Sequence, residues 1–507
     1  MKAKRFNKLT LLLVLAAMIL PLTSSLAVAS KNVFVMISDG ASFGAWDAAD
    51  LYENGAATTS PYFGAEWTKY LMTTYPLNMS TSPTGNMTPM CGYDPSKAWG
   101  LASYTNGSAS YLHQNAVDSA AAGTALSTGQ KTYNNAINWS NLNQPIMPTL
   151  PELAKQNGKV VGTISSVQWS HATPAAFSDA HDISRNNYAA IANDMLNGNV
   201  MDVIMGAGHP FFTNNGALRT PSTSDYQYVG GQTSWDALNN GTHTGGWKSI
   251  QTKAEFEALA SGDLSVLGGK TRLVGTAQVA TTLQQSRSGY SHTDTVYSDA
   301  FNSNVPTLQT MTLASLNVLK SLDTAGNGIF LQIEGGAVDW AAHGNQTSRI
   351  IEEQIDFNNS VKAVINWIEA NGGWENNLLI VTSDHGNSMP SGESSNTIAH
   401  ERISLENIQA GTYTSSNPNG VRWWSGSHTN ELVPLFIRGF GADRFAALVD
   451  GIDGNFANYY ADWAADGFNG SYVDNTDVFT VAASVVPEPA TLAILGLGSL
   501  LMFGRRK

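Results

Sequence analysis

The chain has 507 residues, of which 42% are hydrophobic; this is enough for a large folded core and excludes a disordered protein. Its formal net charge is −13, so nucleic acid and anionic membrane surfaces are disfavoured as binding partners. A single cysteine, Cys91, excludes any internal disulfide, so the stability of the chain has to come from its core and from bound metals.

The N-terminal segment at 1–29 has the pattern of a secretory signal peptide. Basic residues at its start are followed by an apolar run at 11–20 and by Ala27-Val28-Ala29, a cleavage site of the small-x-small kind. A membrane anchor is the alternative, but the apolar run is too short to span a bilayer. The pattern therefore predicts export, with cleavage near Ala29.

Beyond this segment, short apolar runs rich in β-branched residues alternate with helical patterns. Such runs are typical of strands that are buried on both faces. We predict strands at 33–37, 159–164, 329–333, 378–382 and 432–437. Helices are predicted at 151–157, where a proline lies near the start and Gly158 follows, and at 349–370. The alternation indicates an α/β fold with a mostly parallel sheet.

Two stretches do not follow this alternation. Residues at about 210–300 are rich in Gly, Ser, Thr and Asn, and we predict a long surface insertion with one short helix at 253–260. Residues 388–427 are also irregular and are expected to lie over the functional site. Neither stretch has the composition of a linker, so 30–485 is predicted to form a single domain.

A run of small residues begins at Ser119 and continues with alanines that favour a helix. Asp118 or Ser119 can supply the N-cap of this helix. A serine hydroxyl at that position faces unpaired backbone N–H groups and the positive end of the helix dipole, which suits an alkoxide or a bound phosphate. An ordinary capped helix is the alternative interpretation.

Three of the predicted strands end in acidic residues, at Asp39, Glu334 and Asp384. Because ligands of an open parallel sheet bind beyond the carboxyl ends of its strands, we expect the three carboxylates to lie close together. One acid after a strand is ordinary turn chemistry. Three of them, with histidines nearby, indicate a cation site.

Histidines accompany these acids at spacings that suit a metal. Asp339 and His343 are four residues apart and share one face of a helical turn. His385 directly follows one of the strand-ending acids, and His428 lies in a loop before the last predicted strand. A lone histidine is more often structural, but carboxylates and imidazoles are zinc ligands, and the joint pattern favours zinc sites.

Together these motifs resemble those of the alkaline phosphatase family in content, order and spacing. The matching segments are 38–40, 117–121, 171–175 with 184–185, 334–343, 382–385 and 425–429. The resemblance covers residues 31 to about 438. It implies a three-layer α/β/α fold with a large, mostly parallel central sheet, and a secreted phosphomonoesterase that forms a phosphoserine at Ser119 and releases inorganic phosphate. The family also suggests a homodimer.

The resemblance implies two Zn²⁺ ions and one Mg²⁺ ion. The first zinc set joins one carboxylate to two imidazoles: Asp339, His343 and His428. The second zinc set, which would face the serine, joins two carboxylates to one imidazole: Asp39, Asp384 and His385. The magnesium set offers oxygen atoms alone: Asp39, Thr173 and Glu334. Metal-ligand chemistry supports this sorting, since imidazole suits zinc and oxygen ligands suit magnesium.

The family pattern also implies that Arg185 binds the phosphate group of the substrate. A guanidinium fork suits this role because it matches two phosphate oxygens. Asp118 is expected to orient Arg185 or to cap the helix.

Two positions depart from the best-studied bacterial pattern. His171, which we place with the metal-site residues, stands where that pattern has aspartate, and Trp340 stands where it has lysine. Tryptophan cannot form an ion pair with phosphate, so the departure concerns phosphate binding and magnesium retention.

The C-terminal segment at 486–507 resembles a PEP-CTERM sorting tail. It contains Pro487-Glu488-Pro489, a short apolar run and a basic end. The resemblance implies recognition by an exosortase at the membrane of a Gram-negative bacterium, with delivery to the periplasm, the cell surface or the extracellular matrix. A simple C-terminal anchor is the alternative.

Two other functions are compatible with the implied fold. One is a phosphodiesterase of the same superfamily, against which Arg185 and Glu334 argue. The other is a non-catalytic surface or matrix protein. The presence of the nucleophile, the phosphate-binding arginine and all the metal ligands argues against it. Phosphate monoesters are the expected substrates, and nucleic acid is not expected as a structural partner.

Overall fold

The computed structural model describes residues 31–105 and 107–486, so the predicted signal peptide and nearly all of the predicted sorting tail lie outside the described residues. The strands are β1 (Asn32–Ile37), β2 (Thr68–Thr73), β3 (Val160–Gln168), β4 (Val203–Ala207), β5 (Trp247–Ile250), β6 (Arg272–Thr276), β7 (Ile329–Glu334), β8 (Asn377–Thr382), β9 (Gly386–Asn387), β10 (His428–Thr429), β11 (Val433–Gly439), β12 (Gly451–Ile452) and β13 (Ser471–Asp474).

The α-helices are α1 (Phe43–Asn54), α2 (Ala102–Thr105), α3 (Ser119–Thr128), α4 (Leu150–Gln156), α5 (Ala172–Ala176), α6 (Tyr188–Asn197), α7 (Gln232–Asn239), α8 (Lys253–Ala260), α9 (Leu308–Leu322), α10 (Ala337–His343), α11 (Thr347–Ala370), α12 (Leu405–Ala410), α13 (Phe456–Tyr459), α14 (Ala461–Ala465) and α15 (Thr476–Val485). Shorter 3₁₀ helices lie at Gly107–Ala109, Tyr111–His113, Thr223–Val229, Leu264–Leu267 and Ala442–Ala447. Among these described helices, none is both long and apolar enough to cross a membrane.

In the described part of the chain, eleven strands form one central sheet in the order β12-β13-β2-β11-β8-β1-β7-β3-β4-β6-β5. The strands from β8 to β5 in this order all run parallel to one another. β11 lies antiparallel between β8 and β2 and joins the parallel part to the remaining strands. The predicted mostly parallel sheet is confirmed.

The central strand β1 shows why the sheet carries helices on both faces. Its apolar run directs Val33 and Val35 to one face and Phe34 and Met36 to the other, and all four side chains are fully buried. Helices α1, α9 and α11 pack on the face of Phe34, and α3, α4, α6 and α15 pack on the face of Val33. The predicted three-layer α/β/α fold is confirmed.

The five predicted strands correspond to β1, β3, β7, β8 and β11, with differences of up to four residues at their ends. The helix predicted at 151–157 is α4, in which Thr149 and Glu152 form a capping box and Pro151 occupies the first turn. The helix predicted at 349–370 is α11, and it begins two residues earlier. These elements have continuous apolar runs or a clear helical period, which makes them recognisable in the sequence.

The stretch at 210–300 is not the surface insertion with one helix that the sequence predicts. The predicted helix is present as α8, but β5 and β6 also belong to this stretch and form one edge of the sheet. β5 is buried only at its ends, Trp247 and Ile250, so it shows neither an alternating nor a continuous apolar pattern. The guanidinium of Arg272 lies over the Trp247 ring at 3.9 Å and shields part of this edge.

The irregular stretch at 388–427 contains α12 and is anchored at both ends. The backbone N–H of Ser388 donates to the carbonyl of Ser427 at 3.0 Å. The Ser388 hydroxyl donates to the carbonyl of Ala342 at 3.0 Å. These bonds place both ends of the stretch beside α10, the helix that carries Asp339 and His343.

Candidate active site

The three strand-ending acids meet because of the strand order. β8, β1 and β7 are neighbours in the sheet and run in the same direction. Their carboxyl ends therefore carry Asp384, Asp39 and Glu334 to one place. Asp39 is 2% exposed and the other two are fully buried. The structure thus brings together the carboxylates that the sequence predicts to converge.

The first predicted zinc set lies where α10 meets β10. Asp339, His343 and His428 each present a ligand atom within 4.8 Å of the others. The Nε2 atoms of His343 and His428 are 3.1 Å apart, and His343 Nε2 is 3.3 Å from Asp339 Oδ2. A single turn of α10 separates Asp339 from His343, as the spacing in the sequence predicts.

The second predicted zinc set is fully enclosed. Asp39, Asp384 and His385 again present ligand atoms within 4.8 Å of one another. The Nε2 atom of His385 is 3.4 Å from Asp39 Oδ1 and 3.3 Å from Asp384 Oδ2. The rings of His385 and His428 stack with centroids 3.7 Å apart, so the two sets are immediate neighbours.

Backbone carbonyls orient the three histidines. The Nδ1 atom of His343 is 2.7 Å from the carbonyl of Gly426, that of His428 is 2.7 Å from the carbonyl of Val117, and that of His385 is 3.3 Å from the carbonyl of the residue that follows it. When Nδ1 donates its proton to a carbonyl, Nε2 keeps a free lone pair. Each Nε2 lone pair is directed into the cluster, which is the arrangement that a metal-ligating histidine needs.

The predicted magnesium set also comes together. The Glu334 carboxyl has Asp39 and Thr173 as near neighbours. Within residues 31–105 and 107–486, Asp39 Oδ1, Thr173 Oγ1, Glu334 Oε1 and Asp384 Oδ2 are buried without a hydrogen-bond partner. Buried oxygens without partners are costly, and cations that coordinate them remove this cost. The donors present therefore fit a metal centre with an oxygen-only site beside it.

The carboxylates also repel one another in this buried position. Burial, followed by the charges of Asp384, Asp339 and Glu334, raises the pKa of Asp39 well above its usual value. Burial likewise raises the pKa of Asp384 to about 8. In Asp339 burial acts in the same direction, but the hydrogen bond with His343 and the neighbouring imidazoles outweigh it and lower the pKa. Buried like charges need counter-charges, and cations would supply them.

Ser119 opens helix α3, and its Oγ lies 3.2 Å from His385 Nε2. The N-cap is Asp118, whose Oδ1 accepts a hydrogen bond from the Ala121 N–H at 3.0 Å. Asp118 Oδ2 pairs with Arg185 Nη1 at 3.0 Å. Asp118 thus has both of the roles that the sequence left as alternatives, and the serine hydroxyl is directed at the metal-site residues.

A cleft of about 350 Å³ opens over these groups and is lined by Ser119, His171, Arg185, Asp339, Trp340, His343 and His428. Burial and the charge of Arg185 lower the pKa of His171 to about 3, so this imidazole is neutral. Its ring stacks on Tyr188, with centroids 6.0 Å apart, and meets the edge of Trp340 at 5.8 Å. Among the described residues, His171 is in neither of the two carboxylate–imidazole sets.

Two residues that the sequence analysis does not identify support the site. The Ser165 hydroxyl donates to Glu334 Oε2, and the Asn387 side-chain amide donates to Asp339 Oδ1 at 2.7 Å. These partners are 169 and 48 positions apart in the chain. No local pattern connects residues at such separations, so nothing in the sequence alone could have identified them.

Comparison with known proteins shows the family of the chain. A family model described as alkaline phosphatase matches residues 30–415, and a PEP-CTERM protein-sorting motif matches residues 485–507. Alkaline phosphatase 4 of Bacillus subtilis is 26% identical over 394 residues, which cover 67% of this chain and 75% of that relative. The alkaline phosphatase of Escherichia coli is 30% identical over 301 residues, which cover 53% of this chain and 57% of that relative.

Solved structures share the fold. The alkaline phosphatase of the Antarctic bacterium TAB5 superimposes with a TM-score of 0.55 at 20% identity, covering 90% of this chain and 98% of that one. The cold-active alkaline phosphatase of a psychrophilic Shewanella gives a TM-score of 0.57 at 21% identity, covering 90% of this chain and all of that one. Because the family model matches most of the chain, this protein belongs to the alkaline phosphatase family and carries a PEP-CTERM sorting motif at its C-terminal end.

Proposed function

We propose that this protein is an exported, metal-dependent phosphomonoesterase that forms a phosphoserine at Ser119 and releases inorganic phosphate. One observation carries the proposal. The hydroxyl of Ser119 lies at the N-terminus of a buried helix, 3.2 Å from His385 Nε2, in a cleft that also contains Arg185. A nucleophile, an anion-binding helix end and a guanidinium in one cleft suit phosphoryl transfer.

Two Zn²⁺ ions and one Mg²⁺ ion are the proposed cofactors. The mixed carboxylate–imidazole sets suit zinc, and the oxygen set of Asp39, Thr173 and Glu334 suits magnesium. A structural neighbour, a variant of the TAB5 enzyme, has Mg bound in its M3 site. When bound, two zinc ions supply positive charge next to the attacking and leaving oxygens of an in-line displacement.

The chain's own residues bind and orient the phosphate. Arg185 offers two parallel N–H donors to two phosphate oxygens, and Asp118 holds the guanidinium in place through its 3.0 Å ion pair. The Ser119 oxygen forms a bond to phosphorus while the ester oxygen departs with the alcohol. Water then displaces the serine oxygen and releases inorganic phosphate. Negative charge on the transferred group is offset by Arg185 and by the N-terminal dipole of α3.

Ser119→Ala tests this mechanism. We expect the rate to fall by roughly 10²–10⁴, because the covalent route is lost while the electrostatic groups remain. The variant should fold and bind metals normally, since the helix cap is Asp118. Wild-type protein quenched in acid during turnover should carry phosphate on Ser119, as mass spectrometry of peptides would detect.

Ser127→Ala is the matched control, because Ser127 is buried in the same helix away from the cleft. It should keep wild-type turnover. Full activity in Ser119→Ala, or phosphate on another residue, would remove Ser119 from the mechanism. Rates on a phosphate monoester, a diester and a sulfate ester separate the proposed activity from that of a phosphodiesterase and of a non-catalytic surface protein.

Export is the second part of the proposal. The PEP-CTERM motif supports sorting by an exosortase, with the mature chain at 30–485 as one catalytic domain in the periplasm, at the cell surface or in the extracellular matrix. We expect protein released from its host to lack residues up to about Ala29 and those after about Val486. The intact mass of the protein shows where both ends lie, and a mass that includes 490–507 would instead identify the tail as an anchor.

A homodimer is also proposed, and light scattering of the same sample tests it.

A further inference from the structure

The segments that carry His385 and His428 meet in a very short ladder. β9 (Gly386–Asn387) pairs antiparallel with β10 (His428–Thr429), with Asn387 opposite His428 and Gly386 opposite Thr429. Two residues on each side are too few to form a stable pair of strands without other support. The relative position of the two histidines therefore depends on what packs against the ladder.

A buried carboxyl packs against it. Glu431 is 8% exposed, and its Oε1 accepts hydrogen bonds from the Thr429 hydroxyl at 2.8 Å and from the Ser42 hydroxyl. A Cβ atom added to Gly386 would collide with the same Oε1. The carboxyl of Glu431 thus lies directly on the ladder, and glycine at 386 gives it room.

Ser42 extends this contact to the other strand of the ladder. It stands at the N-cap position of α1, but no capping bond from its side chain is found among the described residues. Its Oγ instead accepts a hydrogen bond from the Asn387 N–H at 3.0 Å and contacts Glu431. Asn387 in turn donates to Asp339 Oδ1 at 2.7 Å.

We propose that Glu431 is a positioning residue that holds His428 and Asp339, two ligands of one candidate metal site, in place. It acts on His428 through Thr429, and on Asp339 through Ser42 and Asn387. The inference rests on the proposed function only in treating the two carboxylate–imidazole sets as metal sites. Partners behind a metal ligand orient it, and their loss typically weakens metal binding 10- to 100-fold.

The test is Co²⁺ titration of the metal-free mature protein, followed by visible absorption. In Glu431→Leu we expect Co²⁺ affinity to fall by roughly 10- to 100-fold and the absorption bands to shift, because His428 and Asp339 lose their fixed positions. Glu431→Gln should keep most of the wild-type affinity, since its amide oxygen can accept both hydrogen bonds. Glu401→Leu is the control. Glu401 and Glu431 both line a small cavity beside the ladder, and no hydrogen bond from the Glu401 side chain to the ladder is found in the described chain.

Thermal unfolding of the metal-free variants separates positioning from general stability. We expect Glu431→Leu to unfold within a few degrees of wild type while its Co²⁺ affinity falls. Unchanged affinity and bands in Glu431→Leu, an equal loss in Glu401→Leu, or a wild-type protein that binds no Co²⁺ would overturn the inference. Because the readout is metal binding, a wild-type protein that binds Co²⁺ without phosphatase turnover would count against the proposed function alone.

Discussion

Asp118 uses its two carboxylate oxygens for two different purposes. Oδ1 caps helix α3, and Oδ2 pairs with Arg185. The end of the helix that presents Ser119 and the guanidinium that faces it are therefore fixed by one side chain. This arrangement allows the cap and the ion pair to be separated by mutation, because asparagine caps a helix as well as aspartate does but carries no charge.

At this residue scale we predict that Arg185→Ala lowers kcat/KM for a phosphate monoester by about 10²–10³, since a bidentate charged contact to the transferred group is lost.

Asp118→Asn should lower kcat/KM by about tenfold or less. Its free energy of unfolding should stay within about 1 kcal/mol of the wild-type value, because the cap remains. Asp118→Ala should lose both activity and stability. Steady-state kinetics and urea unfolding measure these effects. Arg219→Ala, which breaks a pair with Asp225 outside the cleft, should leave kcat/KM unchanged.

The sequence predicts individual chemical groups better than it predicts their partners. Local spacing indicates Ser119 and the pair of Asp339 and His343, and the family resemblance sorts the candidate ligands into two zinc sets. The sequence cannot decide whether Asp118 or Ser119 caps the helix, because adjacent residues share the same propensity. Asn387 is not identified, since the Asp339 carboxylate that it contacts lies on another segment of the chain. Glu431 is not identified, since its contact with Ser42 joins residues 389 positions apart. Such contacts become visible only in three dimensions.

At the scale of elements, helix α11 is buried on more than its apolar face. Its apolar side chains are buried, but Arg349, Glu352 and Glu353 are buried as well. The stretch at 210–300 covers them, and Arg287 from this stretch pairs with Glu352 at 2.6 Å. A helical period in sequence shows which side is apolar and cannot show that an earlier stretch of the chain covers the polar side as well.

Glu353 makes this burial testable through pH. Burial, followed by the charges of Asp356 and Glu352, raises the pKa of Glu353 to about 8. Between about pH 4.5 and 8 the folded state keeps this proton and the unfolded state releases it, so stability falls as pH rises. In Glu353→Gln the free energy of unfolding should fall less as pH rises. Between pH 5 and pH 9 the variant should therefore gain on the order of a few kcal/mol in stability relative to wild type.

Urea unfolding at pH 5, 7 and 9 measures the effect. Glu369→Gln changes an exposed carboxyl on the same helix and should follow the wild-type profile. Parallel profiles of Glu353→Gln and wild type over this range would show that Glu353 is ionised in the folded protein.

On the scale of the whole molecule, we predict that the buried carboxylates make the stability of the protein depend on cations. Chelation should abolish phosphatase activity and lower the melting temperature, because Asp39, Asp384 and Glu334 are left without counter-charge. A ligand present at a thousand times its Kd stabilises the folded state by about 4 kcal/mol. Zinc with magnesium should restore both properties, and magnesium alone should not. Full activity in metal-free protein would contradict the proposed metal dependence.

The fold class follows from the sequence, but the arrangement of the sheet does not. Alternating buried strands and amphipathic helices are sufficient to predict an α/β protein with a mostly parallel sheet. The sequence predicts that Asp39, Glu334 and Asp384 converge because they end parallel strands, but the order of those strands depends on pairing between segments some 300 residues apart. The strands β5 and β6 at one end of the sheet are missed because they are short and only partly apolar.

The position of β11 has a consequence for the order of events during synthesis. This strand, Val433–Gly439, lies between β8 and β2, so until the ribosome has made it the outer edge of β8 stays unpaired. His428 precedes it by only a few residues and is the last of the metal-site candidates to be made. In a growing chain, therefore, β8 lacks its partner β11 and the site is incomplete until more than four-fifths of the sequence has been synthesised. We therefore expect an incomplete chain on the ribosome to lack the proposed phosphatase activity.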